Sequence, residues 1–103
     1  MGKASRDKGA RRERETVSLF KSWGLRAERV PLSGAVRYQD NGGDVDVYKP
    51  GRDAPFVCEV KGRRQFPSYL YQWLGENDFL VLKGDRVEPV AVMPMRVLRE
   101  LLS

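Results

Sequence analysis

Two short acidic segments that alternate charged and apolar residues constrain this chain most. They are Gly43-Asp44-Val45-Asp46-Val47 and Cys58-Glu59-Val60-Lys61. Alternate side chains of a β-strand share a face, so Asp44 and Asp46 point to one side, and Glu59 and Lys61 also share a side. Pairing of the two segments in a hairpin would therefore gather carboxylates and one ammonium into a small volume.

Such a cluster of carboxylates is stable when a cation lies among them, and hard oxygen ligands suit Mg²⁺ or Mn²⁺. The whole chain is basic, with a formal net charge of +5. An acidic pocket beside a basic surface indicates metal-dependent cleavage of nucleic acid. The chain has no histidine and one cysteine, which excludes a histidine-based triad, a histidine general base and a zinc finger.

The length of 103 residues predicts one small domain with a thin core, which burial in a homodimer would help to stabilise. The lone Cys58 cannot form an internal disulfide, and its apolar strand favours a small buried hydrophobe. No apolar run is long enough to span a membrane, and the N-terminus is too polar for a secretory signal. We therefore expect an intracellular, cytoplasmic protein.

Basic residues are concentrated at the N-terminus, where residues 1–14 carry six Lys and Arg against two acidic residues. The basic residues are Lys3, Arg6, Lys8, Arg11, Arg12 and Arg14. This concentration predicts a flexible basic arm over residues 1–7 that contacts phosphates, and residues 8–103 are expected to form one domain. The alternative is a solvated, partly disordered tail.

Hydrophobic periodicity and turn residues predict the order α-β-β-β-α-β-β-α, a central mixed sheet flanked by helices. The helices are predicted over 8–23, 68–74 and 94–102. The strands are predicted over 27–31, 44–48, 56–61, 79–83 and 87–93, with a polar loop over 33–43. In projection, Glu13 falls inside the apolar stripe of the first helix, and a glutamate on a buried face needs a partner.

These motifs together resemble a known family of nucleases. Lys8-Gly9-Ala10 followed by Glu13-Arg14-Glu15 resembles the first helix of archaeal-type Holliday-junction resolvases. Gly43-Asp44-Val45-Asp46 and Glu59-Val60-Lys61 resemble the catalytic core of the wider PD-(D/E)XK nuclease superfamily. The stretch from Tyr69 onward resembles small phage and bacterial members. The resemblance implies a restriction-endonuclease-like α/β fold.

The resemblance also implies roles for individual residues. Glu13, Asp44 or Asp46, and Glu59 would hold one or two divalent cations, and the carbonyl of Val60 would complete the ligand set. Lys61 would position or deprotonate the attacking water. The Gly-Asp pattern favours Asp44 as the principal ligand, whereas the 13-residue interval from Asp46 to Glu59 suits the archaeal resolvases. Both aspartates remain candidates for the principal metal ligand, and Asp44 is preferred.

Further residues are candidates for DNA contacts. By the same resemblance, Arg14 and Arg29 would lie near the scissile phosphate and Ser33 would reach towards the junction. The alternatives are surface cations for the arginines and a turn residue for Ser33. Arg63 and Arg64 form a second basic candidate. The aromatic residues that follow could stack on bases, but their helical spacing favours a core or dimer interface. They are Phe66, Tyr69, Tyr71 and Trp73.

The sequence thus predicts a metal-dependent endodeoxyribonuclease that acts as a homodimer on four-way DNA junctions, since a two-fold dimer matches a two-fold junction. The alternatives are a nuclease of the same superfamily that cuts duplex, flap or branched DNA, and a non-catalytic DNA-binding module. An RNA-processing enzyme is disfavoured because no RNA-recognition motif is present.

Overall fold

The computed structural model describes residues 3–30 and 44–103, with side chains from Lys8 onward. Its helices are α1 (Lys3–Ser22), α2 (Ser68–Leu74) and α3 (Met95–Leu102). Its strands are β1 (Arg26–Arg29), β2 (Val45–Tyr48), β3 (Phe56–Cys58), β4 (Leu80–Leu82) and β5 (Val90–Val92). The predicted order of elements and the α/β class are confirmed. The predicted loop over 33–43 lies outside the described residues.

The chain divides into two compact units, an N-terminal unit (Met1–Gly62) and a C-terminal unit (Arg63–Ser103). The N-terminal unit contains a three-stranded sheet in the order β1-β2-β3, and the C-terminal unit contains the pair β4-β5. All the described strand pairs are antiparallel, whereas the sequence predicted one mixed sheet. Short connections join β2 to β3 and β4 to β5, and such connections produce antiparallel pairs. A single domain over 8–103 stays a prediction.

Helix α1 leads directly into the three-stranded sheet. It begins at Lys3, within the predicted arm, whose flexibility stays a prediction. It ends in a Schellman motif, in which the Gly24 N–H donates to the Lys21 carbonyl and the Leu25 N–H donates to the Phe20 carbonyl. Gly24 has a φ of 85°, which favours glycine at this position. The reversal allows α1 to pack on β1 and β2.

The core of the N-terminal unit lies between α1 and this sheet. Phe20 from α1 is 1% exposed, and Ala27 of β1 and Val45 and Val47 of β2 are buried. The register pairs Ala27 with Val47 and Asp46 with Val57. Burial of these apolar side chains fixes the register, because a slip by one residue would turn Asp46 towards the helix.

Strand β3 ends at Cys58, three residues earlier than predicted. The reason is that the Val60 N–H donates to a side-chain carboxylate at 2.8 Å, that of Asp44, instead of continuing the ladder. The Glu59-Val60-Lys61 segment therefore emerges from the end of the sheet.

The C-terminal unit is thinly packed. Among its residues only Val97 and Leu102, both on α3, have a buried hydrophobic side chain. Helix α2 buries none of its side chains. Helix α3 begins at Met95, one residue later than predicted, and the φ of −66° at Pro94, the residue before it, suits the start of a helix. Within residues 3–30 and 44–103, no helix is long and apolar enough to cross a membrane.

Candidate active site

Asp44 is held at the end of the three-stranded sheet by three hydrogen bonds. Its carbonyl accepts from the Val30 N–H at 2.9 Å, and its N–H donates to the Cys58 carbonyl at 2.8 Å. Its Oδ2 accepts from the Val60 N–H at 2.8 Å. The carboxylate is therefore tied to the residue between Glu59 and Lys61, where β2 begins and β3 ends.

Glu59 and Lys61 form an ion pair directly beyond β3. The Nζ of Lys61 lies 2.9 Å from Oε2 of Glu59, and both side chains are exposed. An exposed pair contributes little to stability, because water screens the attraction. Both groups are accessible to a phosphate or to water.

Cys58 lies close to the two carboxylates of this site. Burial raises the pKa of its thiol above the ordinary value of 9.0, and the negative charges of Asp44 and Glu59 raise it further. The effect of both charges at one sulfur places Asp44 and Glu59 around the same point of the sheet. The thiol itself is half-buried and stays protonated at neutral pH, as expected of a packing residue.

Glu13 has a cationic partner from the adjacent strand. The Nε and Nη2 of Arg29 each lie 3.0 Å from Oε1 of Glu13. Only 17% of the Glu13 side chain is exposed, so its charge needs compensation. Arg29 supplies it from β1, sixteen residues along the chain. The partner that the buried glutamate was expected to need is this arginine.

Asp46 is more deeply placed than Asp44. It is 7% exposed, and it is the one buried charged residue among those described. It lies on β2, opposite Glu28 of β1 and Val57 of β3. Asp46 is thus enclosed between two strands, whereas Asp44 lies at the open end of the sheet.

Arg12 approaches the same end of the sheet from α1. Its side chain lies against the backbone of Gly62, so closely that a Cβ at position 62 would overlap it. The Nε of Arg12 is buried and has no hydrogen-bond partner in the described part of the chain. A half-buried guanidinium whose Nε lacks a partner is suited to bind an anion.

The other basic candidates are distributed along the chain. The side chains of Lys8, Arg11 and Arg14 are exposed on α1. Lys3 and Arg6 belong to the same helix by their backbone. Arg63 and Arg64 belong to the C-terminal unit and line a cavity there. Ser33 lies outside the described residues.

A divalent cation needs several oxygen donors. Among the described residues, no group of three or more His, Cys, Asp or Glu side chains is placed to hold a metal. Asp44 and Glu59 nevertheless belong to one end of the sheet, since the N–H of Val60, next to Glu59, donates to Asp44, and Mg²⁺ is often held by one or two carboxylates together with waters. The chemistry of the donors fits Mg²⁺ or Mn²⁺ through this pair.

Sequence reasoning did not anticipate two features of the site. It treated Arg12 as one cation of a basic arm, although the guanidinium lies against Gly62 next to Lys61. It also treated Cys58 as a small buried hydrophobic residue, although the charges of Asp44 and Glu59 both raise the pKa of its thiol. The glycine directly after the Glu-x-Lys motif was the available signal for the first feature, since glycine permits close approach.

The chain was found to be similar to one family of nucleases through a family model. The model of a family described as phage putative PDDEXK endonuclease matches residues 4–76. The matched range includes all of α1 but its first residue, the three-stranded sheet and α2. No curated protein and no solved structure matches the chain significantly. The match confirms the predicted superfamily and a fold of this class.

Proposed function

The chain belongs to this phage PDDEXK endonuclease family, and on that basis we propose that it is a metal-dependent endodeoxyribonuclease that resolves four-way DNA junctions by paired nicks. The observation that carries the proposal is the hydrogen bond from the Val60 N–H to the Asp44 carboxylate. It ties the aspartate of the motif to the Glu-x-Lys segment. It also supports Asp44, rather than the enclosed Asp46, as the principal ligand.

Asp44 and Glu59 would hold the cation, Mg²⁺ or Mn²⁺, with the Val60 carbonyl, and with Glu13 and Asp46 as further candidates. When bound, such a cation supplies Lewis-acid stabilisation of the charge that develops on the phosphate. The hydrogen bond from the Val60 N–H holds Oδ2 of Asp44 in place. The other carboxylate oxygen, Oδ1, is then available to a cation. The carboxylates need no large rearrangement to face the substrate, which is how pre-organised sites save free energy.

Lys61 and Arg12 act on the phosphate and on the attacking water. The exposed ammonium of Lys61 can hold a water molecule or donate to a non-bridging oxygen, and Glu59 orients it at 2.9 Å. The half-buried guanidinium of Arg12 can donate to a second phosphate oxygen. Together these two cations offset the negative charge that grows during in-line attack.

Binding of DNA would draw on the basic face of the N-terminal half. The exposed Lys8, Arg11 and Arg14 on α1 are candidates for phosphate contacts, and so are Lys3, Arg6, Arg29, Ser33, Arg63 and Arg64. Such contacts position the substrate without reading its sequence. Selectivity for a four-way junction would come from a homodimer, whose two sites would meet symmetric strands.

A non-catalytic DNA-binding module is the second candidate, and the ion pairs of Glu13 and Glu59 favour it. Arg29 and Lys61 already compensate these two carboxylates. A protein that had lost turnover would keep such pairs and would bind junctions without any metal. A nuclease for duplex, flap or branched DNA would share the same site, and only a comparison of substrates separates it.

The test is a cleavage assay on a labelled four-way junction and on its linear duplex arms, with and without Mg²⁺. Glu59→Gln and Asp44→Asn keep the size of the side chain and remove the charge. We expect each to lower the cleavage rate by about 10²-fold or more, the scale of one lost electrostatic contribution. Glu88→Gln, an exposed glutamate of the C-terminal unit, is the matched control.

Junction affinity is measured in parallel in Ca²⁺. Paired, Mg²⁺-dependent nicks in the junction alone would support the resolvase, and equal cleavage of the linear arms would leave a nuclease of broader substrate range. Tight binding by the wild type in Ca²⁺, together with no cleavage in Mg²⁺, would favour the binding module.

A further inference from the structure

An open cavity of about 820 Å³ lies wholly within the C-terminal unit, at the loop that precedes α2 and at the start of that helix. Its lining includes Arg63, Arg64, Gln65, Phe66, Ser68 and Tyr71. The lining therefore combines two guanidinium groups, two aromatic rings and two short polar side chains. None of the lining residues that the structure describes is acidic.

The aromatic rings at this cavity are exposed. Tyr71 is 64% exposed, and Phe66 is exposed as well. Helix α2 buries no side chain, so these rings do not belong to a core of the C-terminal unit. The sequence predicted a core or a dimer interface for these aromatic residues. The core position is not met for α2, since too few neighbouring residues surround this short helix, and the dimer interface stays a prediction.

Exposed aromatic rings beside guanidinium groups match the chemistry of a nucleotide. A base has a flat face that stacks on a ring whatever its identity, and a phosphate accepts hydrogen bonds from arginine. Arg64 supplies the cation, and Gln65 and Ser68 supply groups that can bond to a base edge or a sugar. The described lining thus presents positive and neutral groups to a phosphate.

We propose that this cavity binds an unpaired nucleotide of the DNA substrate, with its base stacked on Tyr71 or Phe66 and its phosphate on Arg64. The inference rests on the proposed action on DNA and extends it, because it adds recognition of single-stranded segments. Duplex DNA hides its base faces, so it would gain only the phosphate contact. The cavity would thus favour substrates with unstacked bases, such as flaps and the centres of branched structures.

Two tyrosines on α2 provide a matched pair for the test. Tyr71 lines the cavity, whereas Tyr69 is 50% exposed, does not line it and packs its ring 4.9 Å from that of Trp73. Binding of a labelled oligo-dT strand and of a blunt duplex of equal length is measured with EDTA present, so that no cleavage occurs.

We expect Tyr71→Ala to weaken binding of oligo-dT by about tenfold, the effect of one lost stacked base, and to change duplex binding less than twofold. Tyr71→Phe keeps the ring and should bind oligo-dT like the wild type. Tyr69→Ala should also bind like the wild type. Arg64→Gln should weaken binding to both ligands. It should also reduce the slope of log affinity against log salt concentration by about one.

Three results would overturn the proposal. They are wild-type affinity of Tyr71→Ala for oligo-dT, an equal loss for oligo-dT and duplex, and a shift of Tyr71→Ala to a smaller species in sedimentation. The last result would assign the surface to an interface between two copies of the chain. Thermal unfolding of each variant guards against misfolding, which the exposure of Tyr71 makes a small risk.

The proposed function can fail independently of this inference. If the wild type binds oligo-dT through Tyr71 but cuts no DNA, the nuclease proposal fails and the nucleotide site stands. If the wild type cuts junctions and Tyr71→Ala binds oligo-dT normally, the nuclease stands and the nucleotide site fails.

Discussion

The two units of the molecule use their side chains in opposite ways. In the N-terminal unit, apolar residues fill a core between α1 and a sheet, the Arg29 side chain donates to Glu13, and the backbone N–H of Val60 donates to the Asp44 carboxylate at the end of that sheet. In the C-terminal unit, most of the large apolar side chains that the structure describes are exposed. A site that must hold charges at fixed distances needs the first environment, whereas a surface that contacts a large partner needs the second.

The comparison predicts unequal costs for removing aromatic rings. Phe20→Ala should lower the free energy of unfolding by about 3–5 kcal/mol, because it leaves a cavity in the core between α1 and the sheet. Trp73→Ala, on exposed α2, should cost less than about 1 kcal/mol. Urea unfolding of both variants measures the difference. Equal costs would mean that the C-terminal unit has a core of its own around α2.

Ion pairs of the two units should differ as well. Arg29→Gln removes the partner of the largely buried Glu13, and it should cost about 1.5–3 kcal/mol, as for a hydrogen bond to a charged group. Arg96→Gln removes an exposed contact of 3.6 Å with Asp78, and it should cost less than about 0.5 kcal/mol. Added salt should leave the order of these two costs unchanged, because burial shields the Arg29–Glu13 pair from the added ions.

The contact of Arg12 with Gly62 gives a third prediction. Gly62→Ala should destabilise by about 1 kcal/mol or less, because the new methyl group overlaps only the end of the Arg12 side chain, which can move aside. Gly9→Ala is the control, since nothing lies within 4 Å of a Cβ there, and in a helix it should stabilise by about 0.5–1 kcal/mol. Arg12→Ala in the Gly62→Ala background should restore stability. A failure to restore it would place the strain in the backbone instead.

The smallest effect concerns the Cys58 thiol. Because its pKa is raised, the folded protein keeps this proton more firmly than the unfolded chain does. The stabilisation that the protonated thiol contributes is therefore complete below pH 9.0. It is lost as the pH rises through the raised pKa of the folded protein. Alkylation by iodoacetamide at pH 8 should be slower than in the urea-unfolded chain, and Asp44→Asn should accelerate it. An unchanged rate in Asp44→Asn would remove Asp44 as a cause of the raised pKa.

Much of the fold could be predicted because its signals are local. The order of elements, the Gly24 cap, the bounds of α2 and the start of α3 to within one residue follow from spacing and turn residues. The strand ends were less accurate, since β3 stops at Cys58 and β4 and β5 are shorter than predicted. A strand ends where its ladder partner ends, and no pattern within the strand itself reveals that.

For the candidate site, the sequence by itself determined the chemical types. Alternating acidic residues, Glu-x-Lys and a glutamate in an apolar helical stripe predicted a carboxylate site with a lysine, because side-chain direction follows from the period of each element. The need of Glu13 for a partner could also be inferred from that stripe.

Only the tertiary structure decided which groups meet. Arg29 compensates Glu13, the Val60 N–H fixes Asp44, and Arg12 reaches Gly62, each across at least sixteen residues of the chain. Such contacts depend on how α1 reverses onto β1 and how β2 pairs with β3. The free energy that selects them comes from burial of Phe20, Val45 and Val47. That burial is a property of the packed sheet and helix, and no single segment carries it.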